Sequence, residues 1–123
     1  MNRDIRDRSD IIALVDRFYE KVKTDAVIGY FFTEVAKINW PEHLAVMYDF
    51  WDNALFFSGG YEGNPMQVHK NLHTKSPMTM QHFQRWNQLF SETVDDMYAG
   101  EKAELIKQRA LSIAMVIQIH LFK

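Results

Sequence analysis

The chain has 123 residues, 47% of them hydrophobic and 14% aromatic, and carries a formal charge of −2. That length suits one domain spanning residues 1–123 around a single core, and the charge balance lacks the clustered Lys and Arg of a nucleic-acid surface. With no Cys there is no disulfide, thiolate zinc site or iron–sulfur cluster.

The start "MNRDIRDRSD" is too charged for a secretory signal, and no run reaches the ~18 apolar residues of a membrane span, so a cytoplasmic protein without a membrane partner is expected. Apolar spacing predicts a first helix over residues 10–23 with Ser9 as its N-cap. Ile11, Val15, Phe18 and Val22 share one face, with Leu14 and Tyr19 beside them. The short stretch "AVIGYFFT" reads as a further helical piece. In "NWPEHLAVMYDFWDNALFFSGG", Asn39 and Glu42 have capping-box spacing, Pro41 fits a first turn and Gly59-Gly60 supplies a stop.

A brief helix of little more than two turns follows in "NPMQVHKNLHTK", with Asn64 as cap, Pro65 at its first position and Gln67 reaching back. Thr79 opens "TMQHFQRWNQLFSETVDDMYAG", which ends at Gly100 and carries an apolar stripe of Phe83, Trp86, Phe90 and Met97. The last helix covers residues 101–121, with Ile106, Ala110, Ile113 and Ile117 inward; Gln118 and His120 interrupt its apolar end. "DRSD" and "EKAEL" read as solvated faces. Nothing alternates with the two-residue period of a strand, so the fold class is all-α.

Two of these helices place a histidine at the edge of an apolar face. His43 shares a side with Met47, Phe50, Trp51 and Ala54, while His69 follows Met66 on the brief helix. Two such walls facing each other make a flat apolar slot, the shape that takes a planar macrocycle. Haem is held largely by apolar contact and one axial imidazole. That imidazole ligates when neutral, as His is near pH 7, and its other nitrogen needs an acceptor such as a backbone carbonyl. His69 and His73 at i, i+4 also suit a non-haem metal, although "HKNLH" lacks the carboxylate of a zinc hydrolase. His82 and His120 read as structural or surface residues, His82 being a candidate contact at the macrocycle's edge. Lys70 and Lys75 are candidate partners for a propionate.

"FYEKV" at 18–22, "GYFF" at 29–32, "PEH…FW" at 41–51, "Y-x-G-x-P-x-x-x-H" at 61–69 and "HFxxWxxLF" at 82–90 occur in that order. Together they resemble the truncated haemoglobins, specifically the bacterial group III subfamily, over residues 11–119. The resemblance implies a globin-like, two-over-two helical sandwich around haem b, with His69 as the proximal iron ligand. It makes Tyr19 the distal tyrosine, Trp86 the tryptophan whose indole points into the same pocket, and His43 the distal-helix residue nearest the ligand. Phe32 would pack on the haem at the inter-helix corner and Trp51 further along the distal helix. Met47, Phe50, Met66, Phe83 and Phe90 complete the expected haem contacts. The glycine-pair motifs of other truncated haemoglobins are absent. Many relatives have Pro shortly after the proximal His, whereas this chain has "HKNLHTKSP" with His73 as a competitor; His69 keeps the spacing after Pro65.

The implied ligands are diatomic gases: dioxygen, nitric oxide or carbon monoxide. Tyr and Trp donors would each hold a polarised ligand by about 1.5–3 kcal/mol, too tightly for oxygen transport. A sensor, a scavenger, or a slow nitric-oxide dioxygenase or peroxidase-like catalyst with an unknown redox partner fits better. The alternative is a haem-free, globin-like helical sensor or interaction domain, which would be colourless.

Overall fold

The computed structural model describes residues 2–30, 39–56 and 79–121, without the side chains of the last two. Four helices account for most of these residues: α1 (Arg8–Lys23), α2 (Trp40–Phe56), α3 (Met80–Met97) and α4 (Glu101–Leu121). No strand occurs among the described residues. None of their helices is long and apolar enough to cross a membrane.

α1 follows the apolar period of its sequence. Ile11, Leu14, Val15, Phe18, Tyr19 and Val22 are all buried. Its cap is Asp7 rather than Ser9: the Asp7 carboxylate accepts from the Asp10 N–H at 3.3 Å, so the helix begins two residues earlier than the spacing predicts. A carboxylate satisfies an end N–H as well as a hydroxyl does, and adds a favourable charge at the positive end of the helix.

α2 starts as expected, with Asn39 Oδ1 accepting from the Glu42 N–H at 3.3 Å. α3 is entered at Thr79, whose N–H donates to His82 Nδ1 at 2.9 Å. His82 is therefore a capping residue with its proton on Nε2, which lies 3.4 Å from the Tyr30 hydroxyl. α3 ends at Met97, short of Gly100, because Tyr98 turns into extended backbone and buries its ring. The proposed stop at Gly59-Gly60 and the brief helix around His69 lie outside the described residues.

α1 packs on α2 and α3, and α4 packs on α3 and α2. The pair α1–α2 thus lies over the pair α3–α4, a two-over-two arrangement. Trp51, Phe18, Phe90 and Leu14 sit fully buried where the pairs meet. Losing one of the large rings to Ala would cost about 3–5 kcal/mol by transfer and cavity terms together.

The charged start is solvated only in part: within "DRSD", Asp7, Arg8 and Ser9 are exposed as expected, whereas Asp10 is not. Ile5 and Asp10 are buried, and the segment before α1 is tied to the corner between α3 and α4. Asn2 donates to the carbonyls of Asp95 and Asp96, and the Ala99 N–H donates to the Arg3 carbonyl at 3.0 Å. Asp4 accepts from the N–H groups of Ile5, Lys102 and Ala103, capping α4 from 98 and 99 residues away. "EKAEL" is likewise only partly exposed, since Ala103 is in the core. Gly100 has φ +143°, and a Cβ there would lie 2.5 Å from Asp4 Cγ, so both backbone shape and space call for glycine.

Candidate functional site

Where α1, α2 and α3 converge, a cluster of aromatic rings sits among the aliphatic side chains of the core. Phe18 and Tyr19 are consecutive, and both fall inside the broad buried face of α1, Phe18 toward α3 and Tyr19 toward the start of α2. The Tyr19 ring meets that of His43 at 5.1 Å and 84°, that of Trp40 at 5.8 Å and that of Phe18 at 5.0 Å. Trp40 and His43 stand three residues apart on α2, hence on one face, with their rings perpendicular at 5.9 Å.

On the α3 side, Trp86 stands edge-on to Phe18 at 5.6 Å and stacks within 7° of Phe90. Trp51 of α2 completes the stack, 4.8 Å from Phe90 and 6.5 Å from Trp86. Offset stacks and edge contacts are the arrangements that ring quadrupoles favour. Large rings thus span the space between α2 and α3, so these helices are joined by side chains more than by close backbone approach.

Depth separates the sequence-predicted residues into two layers. Tyr19, Trp51 and Phe90 are buried, as is Phe83, which packs with Ala114 and Ile117 of α4. His43, Met47, Phe50 and Trp86 are half-buried, with Met47, Phe50 and Trp86 resting on the core beneath them. Phe32, Met66, His69 and His73, together with Lys70 and Lys75, lie outside the described residues, as does the His120 side chain.

Burial sets the protonation of both polar groups in the cluster. Tyr19 is 4% exposed, and burial pushes its phenol well above the usual tyrosine range. The hydroxyl therefore keeps its proton and can donate. Burial also lowers the His43 imidazole below its ordinary value, which favours the neutral ring near pH 7. A neutral imidazole, a protonated phenol and an apolar ring surface fit a flat, largely hydrocarbon group carrying a small polar guest. They do not suit a hard cation, which needs carboxylate or carbonyl oxygens. Among the described residues no group of three His, Cys, Asp or Glu side chains is placed to hold a metal ion.

Trp40 was not singled out by the sequence reasoning. Its signal was present, three residues before His43 and next to the Asn39 cap, but a Trp at a helix start reads equally as core. Lys23, the last residue of α1, places its ammonium 4.3 Å from the centre of the Trp40 ring.

Residues 4–119 match the model of the family described as bacterial-like globin. The group 3 truncated hemoglobin ctb of Campylobacter jejuni subsp. jejuni serotype O:2 is 34% identical over 119 residues, covering 94% of this chain and 91% of its own length. The crystal structure of a group III truncated hemoglobin from Campylobacter jejuni superposes with a TM-score of 0.87 at 32% identity, covering 100% of this chain and 97% of the other.

Proposed function

This chain belongs to the bacterial-like globins, as a group III truncated haemoglobin, and from that premise we propose that it binds haem b and holds a diatomic gas beside Tyr19. Haem, when bound, supplies an iron centre whose reduced form takes dioxygen, nitric oxide or carbon monoxide. His69 is the residue proposed to ligate it, and Phe32, Met47, Phe50, Met66, Phe83 and Trp86 to contact it. Trp51 and Phe90 stiffen that surface from behind through their stack. The packed rings exclude water, which strengthens any hydrogen bond made within the pocket.

The observation that carries the reading is the buried, protonated Tyr19 phenol at 5.1 Å, ring to ring, from the half-buried His43. A phenol that keeps its proton donates to a polarised guest, and Trp86 adds an indole N–H from α3. Two donors hold such a guest for long periods, so the proposed role is sensing, scavenging or slow chemistry rather than transport. Nitric-oxide dioxygenation and peroxide turnover are the candidate reactions, in the cytoplasm and with a redox partner of unknown identity.

Visible absorption of the purified protein tests this. The expected result is a Soret band that shifts on reduction and again with carbon monoxide; a colourless protein that takes up no added haem overturns it. His69→Ala is expected to abolish the histidine-ligated spectrum and His73→Ala to leave it. Equal loss from both variants would reassign the ligand.

A further inference from the structure

A third ring packs against both Tyr19 and His43. Trp40 is the first residue of α2, half-buried, and touches both: 5.8 Å from the Tyr19 ring and 5.9 Å from the His43 ring. Outside it lies Lys23, an exposed residue whose ammonium sits 4.3 Å from the indole centre. Trp40, His43 and Tyr19 thus form a triangle of rings in which Tyr19 is the buried member, with the exposed Lys23 over Trp40. The end of α1 and the beginning of α2 are stapled by a cation over a ring, directly above the polar pair of the site.

We propose that Trp40, pinned by Lys23, is a positioning residue: it fixes the rings of His43 and Tyr19 in one orientation and closes the outer side of the pocket, so that a small ligand enters when the indole moves. A cation held over an indole face resists tilting of the ring, because tilting turns the positive ring edge toward the ammonium. Trp40 rests against both functional rings, so its tilt frees the His43 imidazole to swing and uncovers Tyr19. The ligand-entry half of this inference rests on the haem reading, whereas the fixing of His43 does not.

Carbon monoxide association by flash photolysis of the reduced, haem-loaded protein tests entry. This gas is uncharged, so removing the Lys23 charge cannot alter its steering. Lys23→Met, which keeps the stem and loses the cation, is expected to speed association by about two- to fivefold. Trp40→Ala should exceed that, and Lys23→Arg, which restores a cation over the indole, should fall between wild type and Lys23→Met. Proton NMR of the His43 ring reads positioning directly, with the Lys23→Met shifts moving toward those of Trp40→Ala. If Trp40→Ala does not fold, the exposed Lys23→Met change decides alone. Association and His43 shifts in Lys23→Met indistinguishable from wild type would overturn the inference. Failure to take up haem would instead sink the haem reading, leaving the His43 shifts to judge the positioning role.

Discussion

The two ends of α1 sit in opposite chemical surroundings. Near its start, Asp10 is buried against charge: Arg3 donates to both carboxylate oxygens at 2.6 and 2.7 Å, the Arg6 N–H donates at 2.8 Å and the Tyr98 hydroxyl adds a longer contact. Near its end, Tyr19 is buried against rings. The Arg3 hydrogen bond, with help from Arg6, holds the Asp10 carboxyl well below the usual carboxylate range despite its burial. Burial alone raises the Tyr19 phenol. Where specific partners dominate a buried group, the group is fastened and serves stability. Where burial dominates, the group keeps its proton, as the proposed role of Tyr19 requires.

Tyr19→Phe should separate the two regions most sharply. Removing one donor while keeping the ring is expected to speed dioxygen release by about ten- to hundredfold, read by stopped-flow displacement, with little change in thermal midpoint. An unchanged off-rate would remove Tyr19 from the pocket's chemistry. The mirror experiment is Asp10→Asn. It should cost about 2 kcal/mol in denaturant unfolding and leave release rates alone, because its partners belong to the clamp and not to the rings.

The same change gives a pH signature. Asp4 belongs with Asp10 here: burial pushes its carboxyl up, but three backbone N–H groups outweigh this and hold it low. Both folded-state values lie below the unfolded value near 4, so their contribution is present in full above about pH 4 and fades as pH falls toward the folded values. Asp10→Asn should flatten the acid limb of a stability-versus-pH curve. His43 acts in a higher window, since its depressed folded value makes stability decline as pH drops below about 6.5. A wild-type curve without the lower decline would show that the clamp is not electrostatic. The smallest expected effect is that of Gly100→Ala, about 1–2 kcal/mol from the left-handed backbone, measured by the same unfolding. It should push on Asp4 without touching ligand kinetics.

The ring region was far more legible in sequence than the clamp. Ile11, Leu14, Val15, Phe18 and Val22 recur at the helical period, and large rings in a helix have few places to go except inward. Tyr19, His43 and Trp86 followed from motif order along the chain. The clamp left no such trace. Asp4 and Asp10 sit in a hydrophilic run that periodicity assigns to solvent, and Asp4's partners at Lys102 and Ala103 are nearly the whole chain away. The helix at 101 was foreseen, but no local rule announces a cap from another segment. Trp40 was missed for a different reason: the ammonium over it comes from the preceding helix, and a pair made by tertiary approach has no fixed spacing.

The distant cap on α4 bears on how the chain folds. Most contacts in a helical bundle are local and form quickly, but this one closes a loop of nearly a hundred residues. α4 can coil early, yet its first turn stays frayed until the opening segment docks through Ile5 and the two aspartates. The slowest event in refolding should therefore be that docking, with hydrogen exchange at Lys102 and Ala103 slowing later than at the middle of the same helix.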